Sequence, residues 1–101
     1  MSQIKFDTRY KDRNIEVVMG WDPPLGYYHI TVFDKSPSAE DEIVYDGLSK
    51  LGFCRHLDKV KQAMVSLNIK PPPEAFELVE KREGNVVYRW TGKEWNRHDF
   101  R

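Results

Sequence analysis

Ile15-Glu16-Val17-Val18-Met19-Gly20-Trp21-Asp22-Pro23-Pro24-Leu25-Gly26-Tyr27-Tyr28-His29-Ile30-Thr31-Val32-Phe33 is the stretch that decides the fold. Ile15, Val17, Met19 and Trp21 alternate with Glu16, Val18 and Gly20. A period of two suits a strand with one buried face. Residues 27–33 are dense in aromatic and β-branched side chains, which favour a second strand. Asp22-Pro23-Pro24-Leu25-Gly26 between them reads as a stiff turn. An antiparallel register that sets Trp21 opposite Tyr28, Met19 opposite Ile30 and Val17 opposite Val32 keeps one face apolar. A slip of one residue would turn that face outward. The other face then carries Glu16, Val18, Gly20, Tyr27, His29, Thr31 and Phe33. It is mixed in character, so it is either partly covered or a contact surface.

Upstream, Ile4, Phe6 and Thr8 alternate with Lys5, Asp7 and Arg9, the pattern of another strand. Lys11-Asp12-Arg13-Asn14 reads as its polar turn, with Thr8 facing Val17 and Phe6 facing Met19. Downstream, residues 34–42 read as a polar loop and Ile43-Val44-Tyr45 as a short strand ended by Asp46-Gly47. Phe53, Leu57, Val60, Met64 and Leu67 recur at helical spacing, and Asn68 and the prolines beyond stop that helix. Pro71-Pro72-Pro73 leads into a second helix over the residues before Gly84, with acidic residues early and Lys81 and Arg82 late. Val86, Tyr88 and Trp90 form a last strand, and Thr91-Gly92-Lys93 turns it toward a return strand at Glu94-Trp95. The expected fold is α+β. An antiparallel sheet, with an N-terminal three-stranded meander and a C-terminal strand or hairpin, carries two helices packed on one face. Residues 1–101 make a single domain, with residues 96–101 as a polar tail prone to fray.

Composition narrows the function classes. The chain has 101 residues, with 16 basic and 16 acidic side chains, so its net charge is zero. Nucleic-acid binders usually show a basic excess, and none is present overall. The balance is uneven along the chain. Arg55, Lys59, Lys61 and Lys70 against Asp58 leave residues 51–71 locally basic, and the segments on either side are locally acidic. A single cysteine, Cys54, forms no internal disulfide and implies no oxidising compartment. No signal-peptide pattern or long apolar run appears, so the expected location is cytoplasmic and no membrane is expected.

The chemistry-bearing residues are few. Cys54-Arg55-His56 lies where the first long helix begins, and a thiol beside a cation there can become reactive. Neighbours on a helix nevertheless point apart. His29, His56 and His98 form no metal-ligand spacing, and no HExxH, CxxC, Gly-rich phosphate loop or GxSxG occurs. No metal, cofactor or catalytic residue is assigned. His29 lies mid-strand, in this register near Glu16, Tyr27 and Thr31, where a histidine can act as acid or base or simply bond a neighbour. The stiff turn between Trp21 and Tyr27 is a candidate recognition loop. Trp90 and Trp95 mix with Arg89, Lys93, Arg97 and Arg101 as a single-strand binder would, although Glu94 and Asp99 interrupt them.

Arg9-Tyr10-Lys11-Asp12-Arg13-Asn14-Ile15-Glu16-Val17-Val18, Gly20-Trp21-Asp22-Pro23-Pro24-Leu25 and Val79-Glu80-Lys81-Arg82-Glu83-Gly84-Asn85-Val86-Val87-Tyr88-Arg89 resemble a family of short, uncharacterised bacterial proteins. The resemblance implies a bacterial, single-domain protein and brings no activity, cofactor, partner or functional residue.

Three readings follow. The favoured one is a binding module with an unknown protein partner or a second copy of itself, acting through the mixed sheet face or the 21–28 loop. Trp21, Asp22, Tyr27, His29 and Arg89 are its candidate contact residues. The alternatives are a small enzyme using His29 or Cys54, and a weak single-stranded nucleic-acid binder using the C-terminal hairpin. The first is favoured because no constellation supplies nucleophile, base and oxyanion donors together.

Overall fold

The computed structural model describes residues 2–36, 42–52 and 54–99. Six strands and three helices follow in the order β1 (Ser2–Tyr10), β2 (Arg13–Asp22), β3 (Tyr27–Asp34), β4 (Ile43–Asp46), α1 (Gly47–Leu51), α2 (Leu57–Ser66), α3 (Ala75–Glu80), β5 (Val86–Trp90) and β6 (Trp95–Asp99). The strands form one sheet in the order β4-β3-β2-β1-β5-β6.

The central register is the one that the alternation requires. Trp21 faces Tyr28, Met19 faces Ile30 and Val17 faces Val32. The β1–β2 pairing differs from expectation by two residues. Phe6 faces Val17 and Thr8 faces Ile15. The turn is the reason. It contains only Lys11 and Asp12, with φ of 48° and 63°, so Arg13 and Asn14 are free to pair. Two consecutive left-handed residues are the signature of the tight hairpin whose twist matches its strands. A shift of two residues leaves each side chain on its face, so the core is unchanged.

The sheet is mixed and not purely antiparallel. β5 runs parallel to β1, with Ser2 facing Val86 and Ile4 facing Tyr88. The three helices carry the chain from the β4 edge across the sheet to the far side of β1. A crossover of this kind, unlike a hairpin, can return the chain in the parallel sense. There are three helices where two were expected. α1 begins at Gly47, where the sequence reading ended a strand. Its N-cap is Asp46, whose carboxylate accepts from the Leu48 amide at 3.1 Å. Asp at an N-cap is a start signal, and here it outweighs the turn reading of Asp-Gly. Gly47 has no space for a side chain, because a Cβ there would meet the Ile30 carbonyl.

α2 starts at Leu57, later than its apolar spacing indicated. Cys54 is held in an extended bridge instead, its carbonyl accepting from the Tyr28 amide at 2.7 Å. Phe53, the first residue of the expected stripe, and residues 37–41 of the expected loop lie outside the described residues, as do the last two residues of the expected tail. Asn68 stands just past α2 at a φ of 57°, the left-handed stop that asparagine tolerates. Residues 95–99 form β6 against β5, with Trp90 facing Trp95.

α1 packs beside β3, and α2 and α3 lie on one side of the sheet. Ile4, Phe6, Ile15, Val17, Met19, Ile30 and Val32 are buried there against Leu57, Val60 and Met64 of α2 and Ala75, Leu78 and Val79 of α3. Each fully buried aliphatic or aromatic side chain of this kind contributes about 1.5–3 kcal/mol of transfer free energy. Among the described residues the other face has neither α2 nor α3 over it, and α1 borders it through Leu48. No helix is long and apolar enough to cross a membrane.

Candidate functional site

The bare face of the sheet is built by the outward members of the same alternation. Gln3 and Lys5 of β1, Glu16, Val18 and Gly20 of β2, and His29, Thr31 and Phe33 of β3 lie side by side there. Two shallow depressions of about 290 Å³ each run over them. They share Gln3, Val18 and Phe33, so they form one continuous trough. One end reaches Tyr27, His29 and Leu48, and the other reaches Lys5, Glu16 and Lys35. Ile43 stands opposite Phe33 at the β4 edge and is 52% exposed, and Leu48 of α1 is 48% exposed. The face thus has apolar patches with charges beside them, unlike the predominantly apolar face beneath.

His29 owes its position to Gly20, its neighbour across β2 and β3. A Cβ on Gly20 would come within 3.0 Å of His29 Nε2 and would collide with the Ser2 carbonyl. The glycine therefore lets the imidazole lie flat on the sheet. Nε2 is buried and makes no hydrogen bond of acceptable geometry. Burial lowers the pKa of His29 below its ordinary 6.5, and the nearby Ser2 carbonyl and Asp22 only partly oppose this. The neutral ring is favoured because a charged one would lose hydration without gaining a full partner. Tyr27 stands edge-on to it at 6.3 Å between ring centroids. Glu16 is not its partner. It faces Phe33 further along the strand and pairs with Arg89 at 3.1 Å.

The candidate residues therefore divide. Tyr27 and His29 line one end of the trough, Asp22 lies opposite Tyr27 on β2, and Arg89 joins the other end through Glu16. Trp21 is on the helix side. Its ring stacks on Tyr28 at 4.7 Å, and the Arg82 guanidinium lies over it at 4.5 Å. Arg82 also donates to the Tyr28 hydroxyl at 3.0 Å. The sequence reading did not connect Arg82 to this end of the sheet. Its left-handed backbone, φ 52°, turns the chain after α3, and no local pattern signals that.

Several residues of the other two readings are engaged within the chain. The Cys54 thiol is buried and donates to the His56 carbonyl at 3.0 Å. Trp90 and Trp95 pack on each other at 5.2 Å, and the Trp95 indole donates to the Pro73 carbonyl at 2.9 Å. Arg97 donates to Glu83 and to Asp99, both at 2.8 Å. The Tyr88 hydroxyl donates to Glu83 at 2.7 Å. That bond, helped by Arg97, holds the Glu83 carboxyl below its ordinary 4.5. Among the described residues no group of His, Cys, Asp and Glu is placed to hold a metal ion.

No protein-family model, no curated protein and no solved structure matches this chain.

Proposed function

We propose that this chain is a cytoplasmic, non-catalytic interaction module that engages a protein, another copy of itself included, through the bare face of its sheet. The observation that supports this reading is the placement of α2 and α3 on one side of the sheet. A sheet face with Val18, Phe33, Ile43 and Leu48 around a flat imidazole, rimmed by Lys5, Glu16 and Arg89, has the apolar centre and polar rim of a protein contact. The side chains are already ordered by their neighbours in the sheet, so little conformational entropy is lost on binding. The 21–28 loop contributes through Tyr27 and Asp22 at one end of the trough.

A photoreactive phenylalanine analogue at position 33, and separately at position 43, tests this in living cells. The same analogue at Val65, 78% exposed on α2, is the control. The expected result is one discrete cross-linked species from positions 33 and 43 and none from position 65. Its mass separates a second copy from a different protein. Absence of any product at 33 and 43 above the control overturns the proposal.

A further inference from the structure

A second cavity lies where α1 passes into α2. It has a volume of about 450 Å³ and shares no lining residue with the trough on the bare face. Its lining consists of Lys50, Leu51, Cys54, Arg55, His56 and Lys59. Leu51 and the buried Cys54 make an apolar floor, and Lys50, Arg55, His56 and Lys59 stand around it as exposed side chains. Among the described residues no carboxylate lines it.

Four cations pair with carboxylates: Arg13 with Asp34, Lys61 with Glu80, Arg89 with Glu16, and Arg97 with Glu83 and Asp99. Among the described residues, Lys50, Arg55, His56 and Lys59 take part in no such pair. In a molecule of zero net charge, gathering unpaired cations around one cavity costs mutual repulsion, which a bound anion would relieve. The backbone adds donors. The N-cap of α2 is His56, in extended conformation, and no side chain caps the helix. The Lys59 amide donates to the His56 carbonyl at 3.1 Å, which leaves the Leu57 and Asp58 amides as the first donors of this ten-residue helix, beside Arg55 and Lys59 in the chain.

We infer that this cavity binds a small organic phosphate, whose phosphate group meets Arg55, Lys59 and the α2 amides and whose carbon body rests on Leu51 and Cys54. An arginine fork matches two phosphate oxygens, and lysine supplies a mobile point charge. The volume lies within the range of small-ligand pockets. This inference is independent of the protein contact on the bare face, and either can fail alone.

The experiment is a titration of the isotopically labelled full chain with phenyl phosphate, followed through backbone amide shifts. Sodium chloride holds ionic strength constant, so that general screening does not change. The expected result is saturable movement centred on the amides of Leu51, Cys54, Arg55, Leu57 and Lys59. The double variant Arg55→Ala, Lys59→Ala should weaken binding by about tenfold or more. Lys70→Ala and Lys93→Ala, at cations outside the cavity, should leave it unchanged. Both double-variant positions are exposed, and an unchanged spectrum elsewhere verifies the fold. If that variant is perturbed, the charge reversal Lys50→Glu gives the same readout. Movement that fails to saturate, that extends equally to Lys70 and Lys93, or that survives loss of the cations overturns the inference.

Discussion

The two faces of the sheet are made from the same strands by the same alternation, yet they differ in every physical respect. On the helix side, Ile4, Phe6, Ile15, Val17, Met19, Ile30 and Val32 are at most 1% exposed. On the bare side, Gln3, Lys5, Glu16, Thr31 and Phe33 are half-buried. The first face is held by apolar burial against α2 and α3. The second is held by neighbours within the sheet: an ion pair between Glu16 and Arg89, an edge contact between Tyr27 and His29, and a glycine that leaves room for an imidazole. Apolar burial is concentrated on the covered face.

Truncation on the covered face should be the severest test of that contrast. Phe6→Ala removes a fully buried ring, and a loss of about 3–5 kcal/mol in denaturant unfolding is expected. Phe33→Ala on the bare face should cost about 1 kcal/mol or less. Equal losses at the two positions would show that the bare face is also core.

A methyl group at Gly20 should come next. Gly20→Ala forces the chain away from the Ser2 carbonyl and from His29, and overpacking of this kind costs about 1–3 kcal/mol. Coupling to His29 sharpens the test. In a double-mutant cycle with His29→Ala, the part of the loss due to the ring should disappear and the part due to Ser2 should remain. Strict additivity would separate Gly20 from the imidazole.

Acid should distinguish the faces as well. The folded pKa of His29 is lowered, so the unfolded chain binds the proton more readily. The stability this contributes is fully present above the unfolded value of 6.5 and is lost as pH falls through the folded value. Unfolding free energy should therefore decline on acidification below 6.5, and His29→Gln should remove that part of the decline. An identical pH profile in the variant would rule out His29 as its source.

The smallest effect belongs to the ion pair. Arg89 is half exposed, so Arg89→Ala should cost about 1 kcal/mol or less, decreasing further in high salt. A larger, salt-independent loss would mean that Glu16 needs its partner as a buried charge does.

Much of the fold was legible locally. The β2–β3 register could be read because apolar side chains recur with period two on both strands, and only one alignment brings them to one face. The apolar stripe of α2 was readable for the same reason, with its period set by the helix. The β1–β2 register was missed because Lys11 and Asp12 carry no glycine to announce their left-handed turn. α1 was missed because five residues hold too little periodicity to be seen. Of the candidate contact residues, Tyr27 and His29 could be placed on the bare face from alternation, whereas Leu48 could not, since its position depends on α1. The cavity between α1 and α2 was visible only as a local excess of basic residues.

The sequence by itself determined which apolar side chains of β2, β3 and α2 share a buried face, because strand and helix periods sort them without reference to anything distant. It also determined the zero net charge and the tight central hairpin. Tertiary structure alone decided that β5 runs parallel to β1, that Arg82 covers Trp21, that Arg89 neutralises Glu16, and that Lys50, Arg55 and Lys59 stand around one cavity. These are contacts between residues far apart in the chain or across an irregular connection. Their geometry depends on the path of the crossover, and no local period encodes that path.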